Sequence, residues 1–145
     1  MADRPAGLVA SAALRVDVPW LAGPGYEDWY LVDDWGDLGT LNDAAVDRAH
    51  RGTHDRVAGL AGAGAGAIYA LRAGQPYLDS TAAAWLDKPH GAPYERFRAD
   101  LLAHGAAVWE RQLVLGPAPE FCVLGAVAEP LGASIVRREP VWPEV

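Results

Sequence analysis

Residues 8 to 18, LVASAALRVDV, alternate with a period of two. Leu8, Ala10, Ala12, Leu14, Val16 and Val18 fall on one side, and Ser11, Arg15 and Asp17 on the other. That is the signature of a strand with one buried face. Such a strand is stable only inside a sheet whose apolar side is covered, so the rest of the chain must supply further strands and a cover. AVWERQLVL, residues 107 to 115, repeats the pattern, with Trp109, Arg111, Leu113 and Leu115 on one face and Val108, Glu110, Gln112 and Val114 on the other.

Between these segments the period changes. WYLVDDW (29 to 35), AIYALR and TAAAWLDK (81 to 88) are strand-like in composition. Asp37 is a good N-cap for a helix from Leu38 to about His50, carrying Leu38, Leu41, Ala45 and Ala49 as its apolar stripe. Thr53 caps a second, short helix. Pro93 suits the first position of a helix with Tyr94, Phe97, Leu101 and Gly105 on one face. EFCVLGAV follows the GPAP connection as another strand, and the ending REPVWPEV reads as an extended, Pro-rich tail. The GAGAG stretch is not a dinucleotide loop. Such a loop needs a strand before it and a helix after it, and here the order is reversed.

At 145 residues, 51% hydrophobic and 21% charged, the chain has the size and composition of one globular domain that folds without disulfide or metal. The domain reading is 1–127 for an α+β unit and 128–145 for the tail. A net charge of −7 with no basic stripe argues against nucleic acid and against an anionic membrane surface. No stretch approaches the ~18 apolar residues of a membrane span. The N-terminal segment carries Asp3, Pro5 and Arg15 where a signal peptide would be basic and then apolar, so a cytoplasmic protein is the expectation. Cys122, the sole cysteine, reads as a small buried hydrophobe.

The element order is strand, strand, helix, strand, strand, helix, strand, strand. Its middle, β-α-β-β-α-β, predicts a ferredoxin-like split βαβ unit with an extra strand at each end. In that arrangement the sheet is antiparallel and both helices lie on one face. The other face must then carry some of the six tryptophans and five tyrosines. A bare apolar face of that size is unstable in water, so a second subunit or the chain's own tail must cover it.

This arrangement, with the pieces YLVDDWGDLGTLNDAAV, AIYALRAG and AAAWLDKPHGAPYERF, resembles the dimeric α/β-barrel superfamily. That superfamily includes EthD-like, NIPSNAP-like and antibiotic-biosynthesis-monooxygenase-like proteins. The resemblance spans roughly residues 27 to 127. It implies a homodimer and a ligand held between sheet and helices or inside the barrel. The superfamily includes cofactor-free oxygenases, cyclases, isomerases, haem-binding enzymes and ligand sensors, so the fold leaves the function open.

Candidate residues follow from chemistry. Lys88, the only lysine, ends a strand two residues before His90. It is either a contact for a carboxylate or enolate, or a surface lysine in a polar turn. His54, beside Asp55, is the candidate base. Arg111 is the candidate oxyanion partner, with Glu120 across the GPAP turn to pair with it or to form a plain cross-strand salt bridge. Trp29, Tyr69, Trp85 and Trp109 are the candidate walls of a ligand pocket. His50 and His54 have helical metal-ligand spacing but no third ligand, so no metal is expected. The sequence thus points to binding, with or without cofactor-free turnover, of a small aromatic or polyketide-like compound. The alternatives are a structural or interaction module with no active site, and a haem-binding protein.

Overall fold

The computed structural model describes residues 4–17, 20, 23–47, 51–125 and 133–142. Its strands are β1 (Ala10–Val16), β2 (Gly25–Leu31), β3 (Gly66–Gly74), β4 (Ala82–Leu86), β5 (Ala107–Leu115), β6 (Phe121–Leu124) and β7 (Ser134–Trp142). They form one seven-stranded sheet in the order β2-β1-β7-β4-β6-β5-β3, and every pairing is antiparallel. The helices are α1 (Trp35–Asn42), continued by a π-helical turn over Asp43–Asp47, α2 (Arg51–Ala58) and α3 (Tyr94–Leu102).

The α+β class and the antiparallel sheet match the sequence reading; the strand order does not. A split βαβ unit sets one antiparallel strand between its two parallel ones, which would place β4 between β2 and β3; here β4 lies between β7 and β6. The segment expected as a tail supplies β7, which lies inside the sheet between β1 and β4. Pro140 has no N–H to give to an interior ladder. The register between β1 and β7 shifts at Ala13/Leu14, where Leu14 meets Pro140, so an irregularity accommodates the proline.

Alternation within the central strands divides the core into two layers. Ala83 and Trp85, Ala107 and Trp109, and Cys122 and Leu124 point to one face and join Leu14, Val16 and Val136. Ala84, Leu86, Val108, Phe121 and Val123 point to the other and pack under Phe97 and Leu101 of α3. With both faces buried, AAAWL and FCVL read as continuous apolar runs. Only α3 joins this outer layer. α1 instead contributes Trp35 and Leu38 beside the two edge strands, β2 and β3, so the helices do not share one face. Pro93 is the N-cap of α3 rather than its first residue, and Asp34 rather than Asp37 caps α1. The Asp34 carboxylate accepts from the N–H groups of Gly36 and Asp37 at 2.7 and 3.0 Å.

The inner face is covered by the chain itself. β2 and β3 sit at opposite edges of the sheet, yet the rings of Trp29 and Tyr69 lie 6.0 Å apart, centroid to centroid. Trp29 also lies 5.3 Å from Trp109 and 6.4 Å from Trp85. The sheet has curled until rings from its two edges meet. Its aromatic side is thus partly covered by the chain itself.

Candidate functional site

The curl leaves a half-open cavity of about 890 Å³ between β2 and β3. Trp20, Trp29, Tyr69, Trp85 and Trp109 form its aromatic wall. Trp20 stands edge-on to Trp85 at 5.0 Å and Tyr69 edge-on to Trp85 at 5.8 Å, geometries that suit aromatic quadrupoles. All four residues named as walls from the sequence come together here, because each has the inward parity of its strand. The Tyr69 hydroxyl donates to the Pro119 carbonyl at 2.6 Å, and burial pushes its pKa up, so the phenol stays protonated. The Trp109 indole donates to the Pro76 carbonyl at 3.3 Å.

An ion pair that the sequence reading missed is set into this wall. Glu27 of β2 and Arg138 of β7 flank β1 on the inner face, and an Arg138 amine lies 3.1 Å from Glu27 Oε1. The Arg138 side chain is 0% exposed and that of Glu27 is 13% exposed. Arg138 also donates to the Ser80 carbonyl at 2.8 Å, and its guanidinium lies 6.0 Å from the Trp29 ring. The Trp29 indole N–H donates to the same Glu27 oxygen that Arg138 holds. Three buried polar atoms nevertheless lack partners: Glu27 Oε2, Arg138 Nε and Trp85 Nε1. Buried polar atoms are nearly always satisfied in folded proteins, and two of these three belong to residues that line the cavity, Glu27 and Trp85, where a further group fits. Parity was the signal available in the sequence. Glu27 is the one acid sharing the inward side of GYEDWYL with Trp29 and Leu31, and Arg138 shares that of SIVRREPVW with Val136.

The other candidates lie elsewhere. His54 is half-exposed on α2, its Nδ1 3.5 Å from Asp55 Oδ1, and it does not line the cavity. Arg111 stands opposite Tyr69 in the β3–β5 ladder and gives its guanidinium to the Ala118 carbonyl. It does not pair with Glu120, to which it is joined only through its backbone N–H, 2.8 Å from the Glu120 carbonyl. Glu120 serves the outer layer instead. It accepts from the Tyr94 hydroxyl at 2.5 Å, which raises the tyrosine's pKa, and from the Lys88 backbone N–H at 3.2 Å.

Lys88 lies in this outer cluster. Its ammonium donates to the carbonyls of Ala92 at 2.9 Å and Pro89 at 3.3 Å, and it sits 4.8 Å from the Tyr94 ring centroid. It thus closes the turn that leads into α3. Lys88→Met is expected to lower stability by about 1 kcal/mol, seen as a lower urea midpoint, with native tryptophan emission unchanged. A shifted emission would show that Lys88 reaches the aromatic wall. Nearby, Glu110 accepts from Arg98 at 2.5 Å and lies 3.5 Å from Arg72. The Arg98 hydrogen bond, with help from both guanidinium charges, holds its carboxyl below the usual range.

Burial pushes the Cys122 thiol pKa well up and leaves it protonated on the inner face. With the Tyr69 phenol also held protonated and Glu27 bound to Arg138, the described cavity residues offer no nucleophile paired with a base. No described histidine lines the cavity. Among the described residues no group of three or more His, Cys, Asp or Glu is placed to hold a metal ion; His50 lies outside them. No described helix is long and apolar enough to cross a membrane. No protein-family model, curated protein or solved structure matches this chain, so the site is interpreted from its own residues alone.

Proposed function

We propose that this chain binds a small, largely aromatic molecule inside the curl of its sheet. One observation carries the reading. A cavity of about 890 Å³ is walled by indole and phenol rings and bordered by buried polar atoms that no described residue satisfies. Ligand sites are typically ~300–1,000 Å³, mostly apolar, with a few placed polar groups, and this cavity fits on all three counts. Binding without turnover is favoured because the described residues that line the cavity include no nucleophile paired with a base.

Calorimetric titration with neutral indole, a probe that matches the wall, tests the proposal. Saturable binding is expected in the native protein, and Trp85→Ala, which removes one side of the wall, should weaken it at least about tenfold. Heats no different from dilution, together with native mass spectrometry of the host-purified protein showing only the bare chain, would sink it. The chain would then be better read as a structural or interaction module.

A further inference from the structure

Resting on that reading, we propose that the cavity selects an aromatic ligand bearing a protonated amine and discriminates against aromatic acids. The selection follows from the charges around the cavity. Four acidic residues line it, Glu27 inside and Asp28, Asp33 and Asp34 at its exposed rim, and among the described residues the only lining cation is Arg72. Arg72 is already committed to Glu110, and Arg138, behind the wall, to Glu27. Among the described residues no cation pairs with Asp28, Asp33 or Asp34. The pairs cancel; the Asp34 carboxylate is held by the N–H groups that it caps, and Asp28 and Asp33 remain as a negative field without a paired cation. A cleft lined by one sign of charge, with low-dielectric walls, concentrates the opposite ion at its mouth.

Two further observations place the ligand inside rather than on this acidic rim. Glu27 Oε2 is buried and accepts nothing, although Oε1 of the same carboxylate is saturated by Arg138 and Trp29. An ammonium N–H supplies the missing donor, and the bond is charge-assisted. Trp85 is 6% exposed, lines the cavity, and has an indole N–H with no acceptor. An oxygen or ring nitrogen on the ligand body completes it. The rings beside Glu27 add cation–π attraction for the same charge, of the kind the Arg138 guanidinium already uses on Trp29. An aromatic acid meets the reverse situation: Oε2 and the rim repel it, Arg72 is held by Glu110, and Arg138, although its Nε is unpartnered, is 0% exposed behind the wall.

The test is calorimetric titration of the full chain with three probes that share one ring system: tryptamine, indole and indole-3-acetate. Tryptamine should bind at least about tenfold tighter than indole-3-acetate at low salt, with indole between them. The gap should narrow as salt is added, because the rim charges are screened. Asp28→Asn with Asp33→Asn, both at exposed positions where folding is not at risk, should cut the gap to roughly threefold while leaving indole unchanged. Equal binding of all three, or a gap that neither salt nor the double variant moves, overturns amine selection and leaves the cavity reading standing. No binding by any of the three overturns both.

Discussion

Arg138→Met should destabilise the protein by about 3–5 kcal/mol, the usual cost of leaving a buried charge without its partner. The variant removes the counter-charge from Glu27 Oε1 and the donor from the Ser80 carbonyl together. Glu27 cannot turn to water for relief, because it is held on the inner face of an edge strand by its pairing with Leu14. The informative comparison is Glu27→Leu with Arg138→Met. Replacing both partners by apolar groups leaves no buried charge, and stability should return to within about 1 kcal/mol of the parent. Urea unfolding of the parent, the two single variants and the double variant closes the cycle. A strong positive coupling confirms that the ion pair is set into an apolar wall. Single variants that unfold at the parental midpoint would mean that water reaches the pair and that the inner face is not closed by the curl. The double variant should also narrow the tryptamine preference, since the free oxygen of Glu27 has gone and only the rim charges remain, while still binding indole.

The same pair shows what was legible in the sequence and what was not. Alternation marked β1 and β5 correctly, and β5 to the residue, because β1 carries a clean apolar side and β5 is bounded by Gly105 and Gly116. β2 was misplaced toward WYLVDDW for a physical reason. Its inward side contains Glu27, so GYED looked like loop, while the aromatic run carried the eye past Leu31 into the aspartates that cap α1. β7 was read as a tail because Arg137, Arg138, Glu139 and Pro140 make a polar, proline-bearing stretch. One of those charges is buried in an ion pair, and the proline sits at a register shift. Strand order was out of reach for a different reason. Local pattern fixes which residues face inward, but pairing of β1 with β7, more than a hundred residues apart, depends on closure of the whole sheet. Parity alone therefore identifies the aromatic walls and the inward side of Glu27 and Arg138, whereas the meeting of those two charges depends on closure of the sheet.

Phe121→Ala carries the other large expected effect, a loss of about 3–5 kcal/mol. Phe121 is fully buried on β6, between β4 and β5, at the centre of the outer layer. Its ring stands edge-on to Phe97 of α3 at 5.2 Å and lies 6.3 Å from Tyr94. Truncation removes both ring contacts and leaves a void that the strands on either side cannot collapse to fill. A domain has only about 5–15 kcal/mol of net stability, so the variant should show a measurable unfolded population at physiological temperature. Phe121→Leu, which keeps most of the volume, should cost less than about 1.5 kcal/mol. Leu115→Ala, at a position 74% exposed, should stay within about 0.5 kcal/mol of the parent. The two layers of the core make this prediction selective as well as large. Phe121 belongs to the layer under α3, and the indole wall belongs to the layer inside the curl. Folded Phe121→Ala protein should therefore bind indole with parental affinity even as its urea midpoint falls. If binding weakened in step with stability at temperatures where the variant is fully folded, the two layers would be one coupled core. The cavity would then owe its shape to α3 as much as to the curl of the sheet.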